Sequence, residues 1–195
     1  MNVNVFARGA AVFLFLCLYA VQPALARSQS YEILPVADGS IEDVGARDGV
    51  ADDVLDSEPL DLYFISTLLE ARPAMEFNVE DINLRRVESA WLEVIPIGSG
   101  FSPEISIFPV EVFGYQGNGI IELADFNPGC YITLFDGRWL PLQEPLRLDV
   151  TEFLEGIDQL SWPIIGFKLR TNVDGALVFG SLEWGDPPVL IINLK

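Results

Sequence analysis

SAWLEVIPI, residues 89–97, is the stretch on which the fold turns. Ala90, Leu92 and Val94 fall on one side of an extended chain, and Trp91, Glu93 and Ile95 on the other. A period of two marks a strand with one buried face, whereas a helix would repeat its apolar residues at i, i+3 and i+4. Outward from it lie runs of the same length and character: LYFIST (62–67), AMEFNV (74–79), EISIFPVEVFGY (104–115), GIIEL (119–123), YITLF (131–135), LRLDV (146–150), IIGFKLR (164–170), ALVFGS (176–181) and VLIINL (189–194). They are rich in Val, Ile, Phe and Tyr, and the 16 Gly and 13 Pro punctuate them. Ten short strands at this spacing predict an all-β fold, an antiparallel β-sandwich of jelly-roll type. DVTEFLEGID (149–158) predicts one short helix, with Asp149 or Thr151 as its cap, Phe153 and Leu154 buried and Gly156 as its stop. Tyr31–Val36 predicts a first edge strand.

Residues 1–26 read as a signal peptide. Arg8 supplies the positive n-region, AAVFLFLCLYAV the apolar core, and ALA, ending at Ala26, the cleavage site. That core is shorter than the roughly 20 apolar residues a spanning helix needs. The expected product is therefore an exported protein, periplasmic or extracellular, with no membrane association after cleavage. Residues 27–59 would hold the edge strand and an acidic loop, and 60–195 the sandwich body, all in one domain. Of the two cysteines only Cys130 remains after the signal, so no intramolecular disulfide is available. Cys130, at a strand start, reads as a small buried hydrophobe.

The chain carries 29 acids against 11 Lys and Arg, a net charge of −18. Losing Arg8 with the signal takes −18 to −19. A protein so acidic, with no basic stripe, is a poor partner for nucleic acid and for anionic membrane surfaces. The absence of histidine removes Ser-His-Asp and Cys-His nucleophiles and every histidine-ligated zinc site.

The acids concentrate in ADGSIEDVGARDGVADDVLDSEPLDLYF (37–64), where nine carboxylates face the single cation Arg47. Three readings are open: a solvated spacer, a loop framing a binding face, or a calcium loop. Calcium takes six to eight oxygens, and Asp38, Glu42, Asp43, Asp48, Asp52 and Asp53 are the candidate ligands, although their spacing is not that of an EF-hand. Exposed indoles and phenols stack on sugar rings, which makes Trp184 and Trp139, beside turns, and Tyr115 the candidate ligand contacts. Trp162 also sits beside a turn, and core filling is the leading expectation for each of the three tryptophans.

ARPAMEFNVEDINLRRVESAWLEV (71–94) resembles the opening of the DNRLRE-type extracellular β-sandwich, which is similar to carbohydrate-binding modules. LRLDVTEFLEG (146–156), IIGFKLR (164–170) and LVFGSLEWGDPPVLIINL (177–194) resemble its closing pattern. VEVFGYQGNGIIELADFNPGC (110–130) and PVADGSIEDVGARDGVADDV (35–54) resemble a subgroup of exported proteins that often carry a PEP-CTERM tail. The sequence reaches Lys195 directly after the last strand without a PEP motif, so anchoring by that route is not expected, and Asn78 stands where that family usually has Asp. The resemblance implies a binding or structural module. The leading expectation is a secreted, non-catalytic sandwich that binds or organises extracellular polysaccharide or matrix, its partner a polysaccharide or a surface protein. A carboxylate-dependent polysaccharide hydrolase or lyase is the alternative, and needs two carboxylates roughly 5 to 9.5 Å apart across a cleft. A purely structural assembly protein, pairing through its sheet edges, is the third.

Overall fold

Strands follow one another with little between them in the computed structural model, which describes residues 28–195 apart from 46, 47, 57, 67, 103 and 128. The signal segment read at 1–26 lies outside the described residues. The strands are β1 (Gln29–Ile33), β2 (Ala37–Val44), β3 (Asp53–Leu55), β4 (Leu60–Ile65), β5 (Leu69–Asn78), β6 (Val87–Val94), β7 (Pro96–Phe101), β8 (Pro109–Gln116), β9 (Cys130–Asp136), β10 (Leu146–Asp149), β11 (Ile164–Arg170), β12 (Gly175–Phe179) and β13 (Val189–Leu194). One α-helix, α1 (Thr151–Ile157), interrupts them. All the pairings are antiparallel, and they build two sheets. The smaller runs β1-β13-β6-β10; the larger runs β7-β12-β4-β5-β11-β8-β9, with β2 on β5 and β3 on β2. This is the expected all-β antiparallel sandwich.

The alternation in SAWLEV behaves as read: Ala90, Leu92 and Val94 are fully buried against the other sheet. The strand does not run on through IPI, however. The chain breaks at Ile95, and Pro96 begins β7 in the opposite sheet. Pro96 has no N–H to donate to a continuing ladder, so the corner between sheets falls there.

The core fills from both inner faces: Leu92, Val94, Leu148, Leu190 and Ile192 meet Leu62, Met75, Phe77, Val112, Phe167, Leu169 and Leu177. Phe167 lies at its centre, edge-on to Phe77 at 6.0 Å and to Phe153 of α1 at 5.6 Å between ring centroids. The Phe153 ring lies across Gly114, where any Cβ would overlap it. α1 starts at Thr151 with Val150 in the cap position and no side-chain cap bond, so neither Asp149 nor Thr151 is its cap; Asp149 Oδ1 instead accepts from Thr151 N–H at 2.9 Å. Thr151 Oγ1 in turn accepts from Ala90 N–H at 2.9 Å and pins the helix to β6. The helix runs one residue past Gly156 and buries Leu154 and Ile157, while Phe153 is only half-buried.

Three expectations are corrected. GIIEL is not a strand. Gly119 is left-handed (φ 91°), and the segment instead lays Ile121 and Phe126 over the outer face of the larger sheet, where they form a second small core with Ile41, Ala51 and Ala74. The acidic stretch is not one loop, because ADGSIEDV is β2 itself, paired along its whole length with β5. Cys130 is exposed rather than buried, because β9 is the edge of its sheet.

Candidate functional site

The acidic stretch orders itself with its own carboxylates. Asp43 Oδ2 accepts from Gly49 N–H at 2.8 Å, Asp52 Oδ2 from Val44 N–H at 2.8 Å, Asp48 Oδ1 from Val50 N–H at 3.0 Å and Asp53 Oδ1 from Val54 N–H at 2.8 Å. Glu42 accepts from the Tyr63 hydroxyl, and Asp38 Oδ2 from Leu182 N–H at 3.0 Å. Each of the six candidate calcium ligands therefore has its own donor. They also point apart: the register sets Asp38 and Glu42 on the core-facing side of β2 with Met75 and Ala71, and Asp43 on the outer side with Glu70. Among the described residues no group of three or more acidic or thiol side chains is placed to share a metal ion. Adding millimolar calcium to EDTA-treated protein is expected to move the unfolding midpoint by less than about 1 °C, since only a ligand of the native state stabilises it. A rise of several degrees would return the metal to this stretch.

On the outer face of the larger sheet β5 presents Glu70, Arg72, Ala74 and Glu76, beside Lys168 and Arg170 of β11. Arg72, 7% exposed, donates from Nε to Glu70 at 2.6 Å and from Nη1 to the Phe126 carbonyl at 2.6 Å, with its guanidinium 3.7 Å over the Phe126 ring. Lys168 donates to the Asp125 carbonyl at 2.7 Å; burial, then the neighbouring Arg72, lowers its pKa to about 7. Glu76 Oε2 accepts from Asn118 and Gly119 N–H, and burial raises its pKa. The Tyr115 ring lies over Gly166, which leaves no room for a Cβ there. Tyr115 is only 3% exposed, so it is no stacking platform for a ligand. The cover supplied by residues 117–127 was not legible in the sequence.

A cleft of about 540 Å³ remains beside this cluster, lined by Asp48, Phe64, Glu70, Arg72, Arg170 and Asn172 among others. A hydrolase would look here for its two carboxylates. Glu70 pairs with Arg72, and Asp48 accepts from Val50 N–H. Asn78, the departure from the resembled pattern, uses Oδ1 to accept from Glu80 N–H at 2.9 Å.

The other two ligand candidates stand out in solvent: Trp139 is 74% exposed and Trp184 60%. Their turns fasten to the same corner between the sheets. Gly180 N–H donates to the Ile95 carbonyl at 3.0 Å, and Gln143 N–H to the Pro96 carbonyl at 2.7 Å. Asp136 Oδ1 accepts from both Phe108 and Arg138 N–H at 3.0 Å, which closes the short helical turn carrying Trp139. The Arg138 guanidinium lies over the indole, 5.6 Å from its centroid. The Trp184 turn is closed by left-handed Gly185 and Asp186, and by Trp184 N–H donating to Ser181 Oγ at 3.3 Å. Both indoles thus project from braced turns whose flanking residues hydrogen-bond to the Ile95–Pro96 corner.

No protein-family model and no curated protein matches the chain. Among solved structures, a xylanase 10C variant from Cellvibrio japonicus in complex with xylopentaose superposes with a TM-score of 0.40 at 10% identity, over 82% of this chain. The chain spans 28% of that protein's length.

Asp38 ties the acidic strand to the Trp184 turn. Its Oδ1 is buried without a hydrogen-bond partner, and burial, with Glu183 nearby, raises its pKa from 3.8 to about 6. The folded value exceeds the unfolded one, so the native state holds the proton more tightly and stability falls as pH rises between 3.8 and about 6. Asp38→Asn removes the buried charge and keeps an acceptor for Leu182 N–H. The variant is expected to exceed the wild type by on the order of 2 kcal/mol at pH 8 and by nothing at pH 3.5. Urea denaturation at the two pH values checks this, and an equal effect at both would contradict it.

Proposed function

We propose that this chain is an exported, non-catalytic β-sandwich that binds extracellular polysaccharide through the indoles of Trp139 and Trp184. The observation that carries the reading is their exposure, 74% and 60%, on two braced turns whose flanking residues bond to the Ile95–Pro96 corner. Folding gains from burying indoles, and exposing two leaves flat apolar faces with polar tips, the surface a sugar ring covers well. The net charge of −18 favours neutral over polyanionic glycans. The signal-like residues 1–26 support export, and the DNRLRE-type resemblance supports a binding module.

Electrophoresis of the purified protein through gels containing individual neutral polysaccharides tests the proposal. At least one polymer is expected to retard the wild type, and Trp139→Ala and Trp184→Ala each to run faster in that gel. Mobility unaffected by every polymer would overturn the reading.

A further inference from the structure

A groove at the opposite end of the molecule has the makings of a separate sugar site. Two cavities flank Trp162 where α1 returns to β11. One, about 500 Å³, is lined by Asn83, Arg85, Asp158 and Ser161 together with Glu80. The other, about 380 Å³, is more apolar, with Tyr131, Ile132, Phe153 and Leu160 in its wall. Each falls in the range of about 300–1,000 Å³ usual for small-molecule sites.

The walls are rigid. Val79 N–H donates to the Pro163 carbonyl at 2.8 Å and ties the two turns that form the polar cavity. Ile82 N–H returns to the Val79 carbonyl and Leu160 N–H to the Ile157 carbonyl, each at 2.9 Å. Ser161 is held left-handed (φ 53°), an uncommon conformation for a residue with a Cβ, immediately before the tryptophan. Trp162 itself packs on the main core, so its position is fixed before any ligand arrives. Tyr131, 58% exposed, adds a second aromatic along the same line.

We infer that this groove binds a neutral, linear oligosaccharide, a proposal that rests on the polysaccharide-binding reading. A sugar ring combines C–H faces with a rim of hydroxyls. Trp162 and Tyr131 offer surface to the faces, while Asn83, Asp158 and Ser161 offer donors and acceptors to the rim. Glu80, Asp158 and Glu152 outnumber Arg85, whose Nε lies 3.8 Å from Asp158, so a uronate would meet repulsion. The polar cavity adjoins the start of β6, and the tryptophan turns adjoin its end. Seven steps at about 3.3 Å each set the two ends of β6 roughly 23 Å apart. A polymer could engage both ends of the sandwich and gain avidity that a short oligomer cannot.

Cys130, exposed in the wall of the apolar cavity, reports on occupancy. Its alkylation by iodoacetamide in the full protein, read by mass on its own peptide, would be followed with cellohexaose, xylohexaose and mannohexaose, and with trigalacturonate as the charged probe. At least one neutral hexaose is expected to slow the reaction several-fold. Asn83→Ala and Tyr131→Ala, both at exposed positions that spare the fold, are each expected to raise the concentration required by about tenfold. If the hexaoses leave Cys130 equally reactive while a polymer still binds through Trp139 and Trp184, this inference falls and the polysaccharide reading stands. If neither hexaose nor polymer binds, both fall. Protection by trigalacturonate above that by the neutral probes would overturn the assignment of a neutral ligand.

Discussion

Arg72→Ala is expected to destabilise the fold by about 3–5 kcal/mol, the cost of removing one partner from a buried ion pair. Arg72 and Glu70 are each only 7% exposed, and the truncation leaves Glu70 buried without its cation. It also strips the Phe126 carbonyl of its donor and the Phe126 ring of the guanidinium stacked 3.7 Å above it. Those contacts fasten residues 117–127 over the sheet, so the loss should spread to the small core of Ile41, Ala74, Ile121 and Phe126. At about 2–4 °C per kcal/mol for a chain of this size, the midpoint should fall by on the order of 10 °C. The double variant Glu70→Leu/Arg72→Met should recover much of this, since replacing both partners removes the orphaned charge. A double variant no better than the single one would show that the loss lies in the Phe126 contacts instead.

Phe167→Ala is expected to cost about 3–5 kcal/mol through the cavity it leaves. Phe167 is fully buried and makes edge-on contacts with Phe77 on β5 and Phe153 on α1, so one ring couples the larger sheet to the helix. Urea denaturation gives the loss directly. Phe167→Leu should cost markedly less, because it keeps most of the volume. Equal losses in the two variants would point to the ring contacts rather than the cavity as the source.

Alternation at Ala90, Leu92 and Val94 was enough to identify strands and a two-layer core, because burial on one face imposes period two whatever the partner strand. The turn tryptophans were legible too, since Trp139 and Trp184 adjoin Gly and Asp residues that cannot continue a ladder. What escaped depends on contacts distant in the chain. The acids of ADGSIEDV left a solvated spacer, a binding-face loop and a calcium loop all open; here Asp38 and Asp43 are buried, and Leu182 and Gly49 N–H groups reach them. Tyr115 read as a surface aromatic, and no local pattern reveals that residues 117–127 fold back over it. The groove beside Trp162 is assembled from turns near residues 80 and 160, joined by the Val79–Pro163 hydrogen bond and the Arg85–Asp158 ion pair. Left-handed Ser161 carries no sequence signature of its own.

The most direct test of polysaccharide binding at the exposed corner is titration calorimetry with the polymer that most retards the wild type, comparing it with Trp139→Ala/Trp184→Ala. Two lost stacking faces should weaken binding at least about tenfold. The unfolding midpoint should move by no more than about 2 °C, because exposed substitutions seldom exceed about 0.5 kcal/mol. Affinity unchanged after removal of both indoles would contradict the account.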